Sequence, residues 1–130
     1  MLILTIRTDK PQAEVGIYKD NERLLYEKWQ AHRELAETIH KKLEEILNKL
    51  SKPLDDVQGI VFYKGPGSFT GLRIGLSVAN SLAYSLDIPI IGTTSEDWIS
   101  LGIKDLHDGK KDKIVKPEYG APVRITTPKK

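Results

Sequence analysis

The stretch Tyr63-Lys64-Gly65-Pro66-Gly67-Ser68-Phe69-Thr70-Gly71-Leu72-Arg73-Ile74-Gly75 sets four glycines, a proline and a serine between an apolar run and a long helical pattern. Two chemistries use such a layout. A glycine-rich turn feeding a helix N-terminus gathers free backbone N–H groups and the positive end of the helix dipole, which makes a general anion site. A serine on a strand-to-helix turn is the other, as a nucleophile. The spacing completes neither. A Walker loop needs Lys followed by Ser or Thr after its second glycine, and the dinucleotide fingerprint needs Gly-x-Gly-x-x-Gly. No Gly-x-Ser-x-Gly elbow surrounds Ser68 and no histidine is near it in sequence, so Ser68 reads as the cap of the helix that follows.

The remaining candidates are scattered. His32 and His40 lie eight residues apart, not in the His-x-x-x-His spacing that puts two ligands on adjacent turns, and His107 is remote. Glu44-Glu45 and Asp55-Asp56 are adjacent pairs whose side chains diverge on a helix and stay solvated. With no cysteine, disulfides and thiolate chemistry are excluded.

Small residues form the stronger pattern. Gly71, Gly75, Ala79 and Ala83 recur every four residues and share one ridge of a helix. A glycine inside a helix costs about 0.5–1 kcal/mol relative to alanine, so Gly75 needs a compensating close contact. Either the chain's own sheet or a helix of another subunit would supply it.

The elements around this loop can be read from periodicity. Leu2 to Ile6 is an apolar run expected to be a strand buried on both faces, and Glu14 to Tyr18 alternates as a half-buried strand does. After turn residues Lys19 to Glu22, Leu24 to Trp29 returns as a third strand, completing an antiparallel meander. From Ala31 the period becomes helical, with Leu35, Ile39, Leu43, Ile46, Leu47 and Leu50 on one face. Val57 to Phe62 predicts a fourth strand, Leu72 to Leu86 a second helix, and Ile88 to Gly92 a short fifth strand. Strand, helix, strand is a parallel crossover, so the prediction is an α/β fold with a mixed five-stranded sheet and helices packed on it.

The 130 residues allow one compact core. From about Gly102 onward Lys, Asp, Gly and Pro dominate, and residues 103–130 are expected to be a basic, mostly irregular tail on a lobe of residues 1–102. Residues 104–130 carry eight Lys or Arg against four Asp or Glu, so a formal net charge of +2 hides a slightly acidic lobe. The tail is either a solvated end or a contact for RNA phosphates. No window reaches the eighteen apolar residues of a membrane span, and the first six residues are too short for a signal peptide, so a cytoplasmic protein is expected.

The run Gly65 to Ser95, GPGSFTGLRIGLSVANSLAYSLDIPIIGTTS, resembles the signature of the TsaB (YeaZ-like) family, whose members have the actin-like, sugar-kinase-like ATPase fold. The likeness extends over residues 1 to about 100. It includes a helix that begins near His32, and more weakly a C-terminal segment at Pro117-Glu118-Tyr119. It implies a single ribonuclease-H-like lobe in a subunit that does no chemistry itself and needs no cofactor or metal. Such a subunit pairs with a TsaD-like catalytic subunit. With the ATPase TsaE the pair supports transfer of a threonylcarbamoyl group to an adenosine of tRNA. The resemblance places the surface that meets TsaD, or a second TsaB copy, on the loop Gly65, Pro66, Gly67, Ser68, Phe69 and Thr70, together with Gly71, Leu72, Gly75, Ala79 and Ala83 of the second helix and Leu35, Ile39 and Leu43 of the first.

Two departures bear on activity. Where the family's fold carries an acidic first-strand loop similar to Asp-Thr-Ser, this chain has Arg7-Thr8-Asp9, and a guanidinium cannot ligate magnesium. The family's second lobe, of comparable size, is expected to be reduced here to the stretch after residue 102, which would leave no two-lobe cleft to clamp nucleotide. The rival readings are a small nucleotide-binding or kinase-like enzyme and a homodimeric scaffold for an unrelated partner.

Overall fold

A computed structural model describes residues 1–112 and 114–118, with the side chain of His32 outside the description. In chain order the elements are β1 (Leu2–Arg7), β2 (Gln12–Lys19), β3 (Glu22–Gln30), α1 (Leu35–Lys49), β4 (Gly59–Tyr63), α2 (Phe69–Leu86), β5 (Ile90–Thr93) and α3 (Trp98–His107). The strands form one sheet in the order β3-β2-β1-β4-β5. β1 pairs antiparallel with β2 and parallel with β4, in the register Ile3 to Gly59 and Ile6 to Phe62, and β5 adds parallel to β4. This is the expected mixed five-stranded sheet.

Period two divides the sheet's side chains between two cores. Leu4, Ile6, Val15, Ile17, Ile60 and Phe62 face α1 and α2, where Ile39, Ile46, Leu72 and Ala79 meet them. Ile3, Tyr18, Val61, Tyr63 and Ile91 face α3 and its Trp98, Ile103 and Leu106. A fully buried Leu, Ile or Phe contributes about 1.5–3 kcal/mol, so these layers dominate the stability of the lobe.

Several expectations need correction. β2 is buried on both faces, because its polar-side residues Glu14 and Gly16 lie beneath the Tyr26 ring of β3. The half-buried strand is instead the edge strand β3. α2 starts at Phe69, three residues before Leu72, since the Ser68 hydroxyl accepts the Gly71 N–H at 3.3 Å and caps the added turn. β5 begins after Pro89, which has no N–H to pair.

The largest miss is α3, which runs through Gly102 to His107 where an irregular tail was expected from residue 103. Lys104, paired at 3.0 Å with Asp108 just past the helix end, occupies the solvent side while Trp98, Ile103 and Leu106 are buried. Gly102 lets the helix approach Val61, where any Cβ would collide with that side chain. Residues 108–112 and 114–118 carry no helix or named strand, yet they stay on the sheet.

Candidate functional site

The parallel strands β1 and β4 deliver two loops to the same end of the sheet, and the glycines decide how closely the loops meet. Ser68 donates its N–H to the Asp9 carbonyl at 2.9 Å, and Gly67 packs against Asp9, where a Cβ would collide. Thr8 is fully buried, and its hydroxyl donates to the Gly71 carbonyl at 2.7 Å. A Cβ on Gly75 would come 2.8 and 2.9 Å from carbons of that same threonine. The small ridge of α2 is therefore the seat of the chain's own Thr8.

This overturns part of the expected partner surface. Leu35, Ile39, Leu43, Leu72, Gly75, Ala79 and Ala83 are all buried in the lobe's own core, at 0–6% exposure for those with side chains beyond hydrogen, and Gly71 is half-buried against Thr8. Their side chains are spent on the lobe's own packing. Four-residue spacing shows that a ridge is smooth but not which way the helix is turned.

The opposite face of the same helices is open. Phe69, Thr70, Arg73 and Ser77 are exposed along α2, and Ala36 and His40 are exposed on α1. Half-buried Ile74 and Val78 floor a groove between the two helices. The Arg73 guanidinium lies 5.2 Å over the Phe69 ring. Pro66 and Ser68 continue this exposed surface into the loop. Phe69 and Thr70 were expected in the partner surface as part of the loop; Arg73, Ser77, Ala36 and His40 were not, although the polar side of each amphipathic pattern was the available signal.

Beside the loop, β1 ends in a self-contained charge cluster. Arg7 clamps Asp9 in a fork, Nε to Oδ1 at 2.7 Å and Nη2 to Oδ2 at 3.2 Å, and stacks 3.9 Å over the Tyr63 ring. Asp9 is 7% exposed, so both its oxygens are committed to the guanidinium. Glu14 is equally buried; it accepts the Tyr26 hydroxyl and lies 3.6 Å from Lys10.

Burial, and then the hydrogen bond to the Glu14 carboxylate, push the Tyr26 hydroxyl far above its ordinary value of 10.0. The fold thus holds the phenol neutral: its contribution is complete below about pH 10 and is lost as pH rises further. Tyr18, also raised by burial, adds to the same alkaline loss. Denaturant melts at about pH 8 and about pH 11 should show a shallower loss for Tyr26→Phe than for the parent chain. An unchanged difference would mean that Tyr26 ionises freely in the fold.

The loop's backbone donors are partly committed as well: the Ser68 N–H to Asp9 and the Gly71 N–H to the Ser68 hydroxyl. That weakens the phosphate reading and accounts for Ser68 as a cap. His40 is exposed on α1, and His107 sits 3.1 Å from Asp20, so the structure does not bring them together. Among the described residues no three His, Asp or Glu side chains are grouped as a metal site requires, and no helix is long and apolar enough to cross a membrane.

Comparison with known proteins matches residues 29–112 to the family model described as TsaD: tRNA N6-adenosine threonylcarbamoyltransferase. A Haemophilus influenzae protein named tRNA threonylcarbamoyladenosine biosynthesis protein TsaB is 34% identical over 93 residues, which is 67% of this chain and 39% of that protein. The structure of YeaZ from Pseudomonas aeruginosa superposes with a TM-score of 0.67 at 26% identity, over 72% of this chain and 43% of that one. Thermus thermophilus RuvC superposes over 92% of this chain and 86% of its own, with a TM-score of 0.52 at 11% identity, a likeness of fold alone. The chain spans about two fifths of the length of the TsaB and YeaZ relatives it matches.

Proposed function

Because the chain belongs to the TsaB (YeaZ-like) family, within the wider family of the matched threonylcarbamoyltransferase model, we propose that it is a non-catalytic subunit in tRNA threonylcarbamoyladenosine formation. It pairs with a TsaD-like catalytic subunit in the cytoplasm. The observation that carries the pairing is the outward groove of α1 and α2, with Phe69, Arg73 and Ser77 exposed over half-buried Ile74 and Val78 beside the glycine-rich loop. A fixed helix pair with an apolar floor and a polar rim has the anatomy of a protein interface. A second copy of the chain would use the same groove when the catalytic subunit is absent.

The non-enzymatic reading is supported by Arg7. A nucleotide-binding or kinase-like enzyme would need a free carboxylate at the end of β1, and the guanidinium holds both oxygens of Asp9. A TsaE-like ATPase and the tRNA meet the assembled pair. For the tRNA, exposed Lys110, Lys111 and Lys116 offer a salt-sensitive contact, while Lys113, Tyr119, Arg124, Lys129 and Lys130 lie outside the described residues.

The groove is tested with Arg73→Glu combined with Ser77→Arg, two exposed positions whose exchange spares the core. Affinity for the TsaD-like subunit, read by calorimetry, should fall tenfold or more with Tm unchanged. Undiminished affinity in the folded variant would move the interface elsewhere.

A further inference from the structure

The chain beyond α3 is held in a cleft between α2 and β5 by contacts of an unusual kind. Asp112 donates its N–H to the Ile90 carbonyl at 2.7 Å, and its carboxylate accepts the Gly92 N–H at 2.8 Å, so the β5 edge is paired at both points. Three residues on, Val115 is 2% exposed and lies over Gly92, where a Cβ would come 2.6 Å from a valine methyl. The Asn80 carboxamide grips the main chain of Val115 from both sides, Nδ2 donating to its carbonyl at 3.1 Å and Oδ1 accepting its N–H at 3.0 Å. Glu118 then donates its N–H to the Lys64 carbonyl at 2.7 Å.

Main-chain hydrogen bonds from a sheet edge and a side-chain amide, with one pocketed side chain, are the means by which proteins hold an extended peptide ligand. Asn80 makes no other hydrogen bond among the described contacts, and this half-buried amide would lose both protein partners without the segment. The linker before it is exposed at Gly109, Lys110 and Lys111, and Gly109 takes a φ of +80° with nothing within 4 Å of where a Cβ would stand. A cavity of about 470 Å³ beside Tyr84, Pro89 and Ile114 stays open, so the segment does not fill the cleft.

We propose that the α2–β5 cleft is a peptide-recognition slot, occupied in this chain in cis by Asp112 and residues 114–118. It takes an extended segment with a carboxylate against the Gly92 N–H and a β-branched apolar residue three positions later, its main chain held by Asn80. The segment is a tethered ligand that can be exchanged without unfolding the lobe.

The test uses the full chain with a site-specific protease sequence inserted between Gly109 and Lys110. After cleavage the severed segment should co-elute with the lobe, and a fluorescent peptide of residues 110–118 should replace it, read by anisotropy. Asn80→Ala should weaken peptide binding tenfold or more, and Gly92→Ala, which puts a methyl into the valine slot, should do the same while circular dichroism stays native. A lobe that unfolds on cleavage would show the segment to be core instead of ligand. A folded lobe that neither keeps nor rebinds the peptide, or that binds it equally well in both variants, would equally overturn the slot.

Discussion

Gly75→Leu is expected to destabilise the lobe strongly, with or without a partner present. The site has no room: Thr8, fully buried and bonded to the Gly71 carbonyl, occupies the space a side chain would need. Overpacking a core costs about 1–3 kcal/mol for a few extra methylenes and more where backbone must shift, a large part of the roughly 5–15 kcal/mol that stabilises a domain. A fall in Tm of roughly 10 °C or more should follow, with Ala79→Leu, which is 0% exposed, behaving similarly. Melting curves followed by circular dichroism check this. If both variants melt normally and lose only their partner, the ridge is an interface after all. Thr8→Ala should partly rescue Gly75→Ala, because the two sites share one volume.

Arg7→Ala carries the next largest effect. It removes the fork that neutralises Asp9, whose side chain is 6% exposed, and leaves a buried carboxylate without its cation. Removing one partner of a buried ion pair costs on the order of 3–5 kcal/mol. The Arg7 side chain is 20% exposed, so water reaching Asp9 should hold the loss near the lower end, at about 3 kcal/mol. Arg7→Lys should recover little, since an ammonium can neither reproduce the fork nor stack on Tyr63. Arg7→Ala with Asp9→Asn should recover much of the loss. Chemical denaturation of the four chains measures it, and a single variant as stable as the parent would show that the cluster is not buried in solution. The same clamp ties Asp9 to the loop that receives Ser68, so its loss should also loosen the start of α2.

What could be read along the chain was whatever depends on neighbours in sequence. Alternation and 3.6-residue periodicity located five strands and two helices in order, the parallel crossover set the mixed sheet, and Ser68 before a helical run announced a cap. The motif at Gly65 to Ser95 was long enough to point to the family. What needed the folded chain was direction and distance. Glu14 and Gly16 look like the wet side of a strand until the ring of Tyr26, ten residues on from Gly16, covers them. The Lys and Asp of residues 104–108 masked a helix, because composition counts the solvent side equally with Trp98, Ile103 and Leu106 on the buried side. Whether Gly71 and Gly75 served the chain or a partner rested on Thr8, more than sixty residues earlier, and the grip of Asn80 on Val115 spans thirty-five. Local pattern sets which surfaces are smooth, apolar or polar; the packing of distant segments sets which of them remain on the outside.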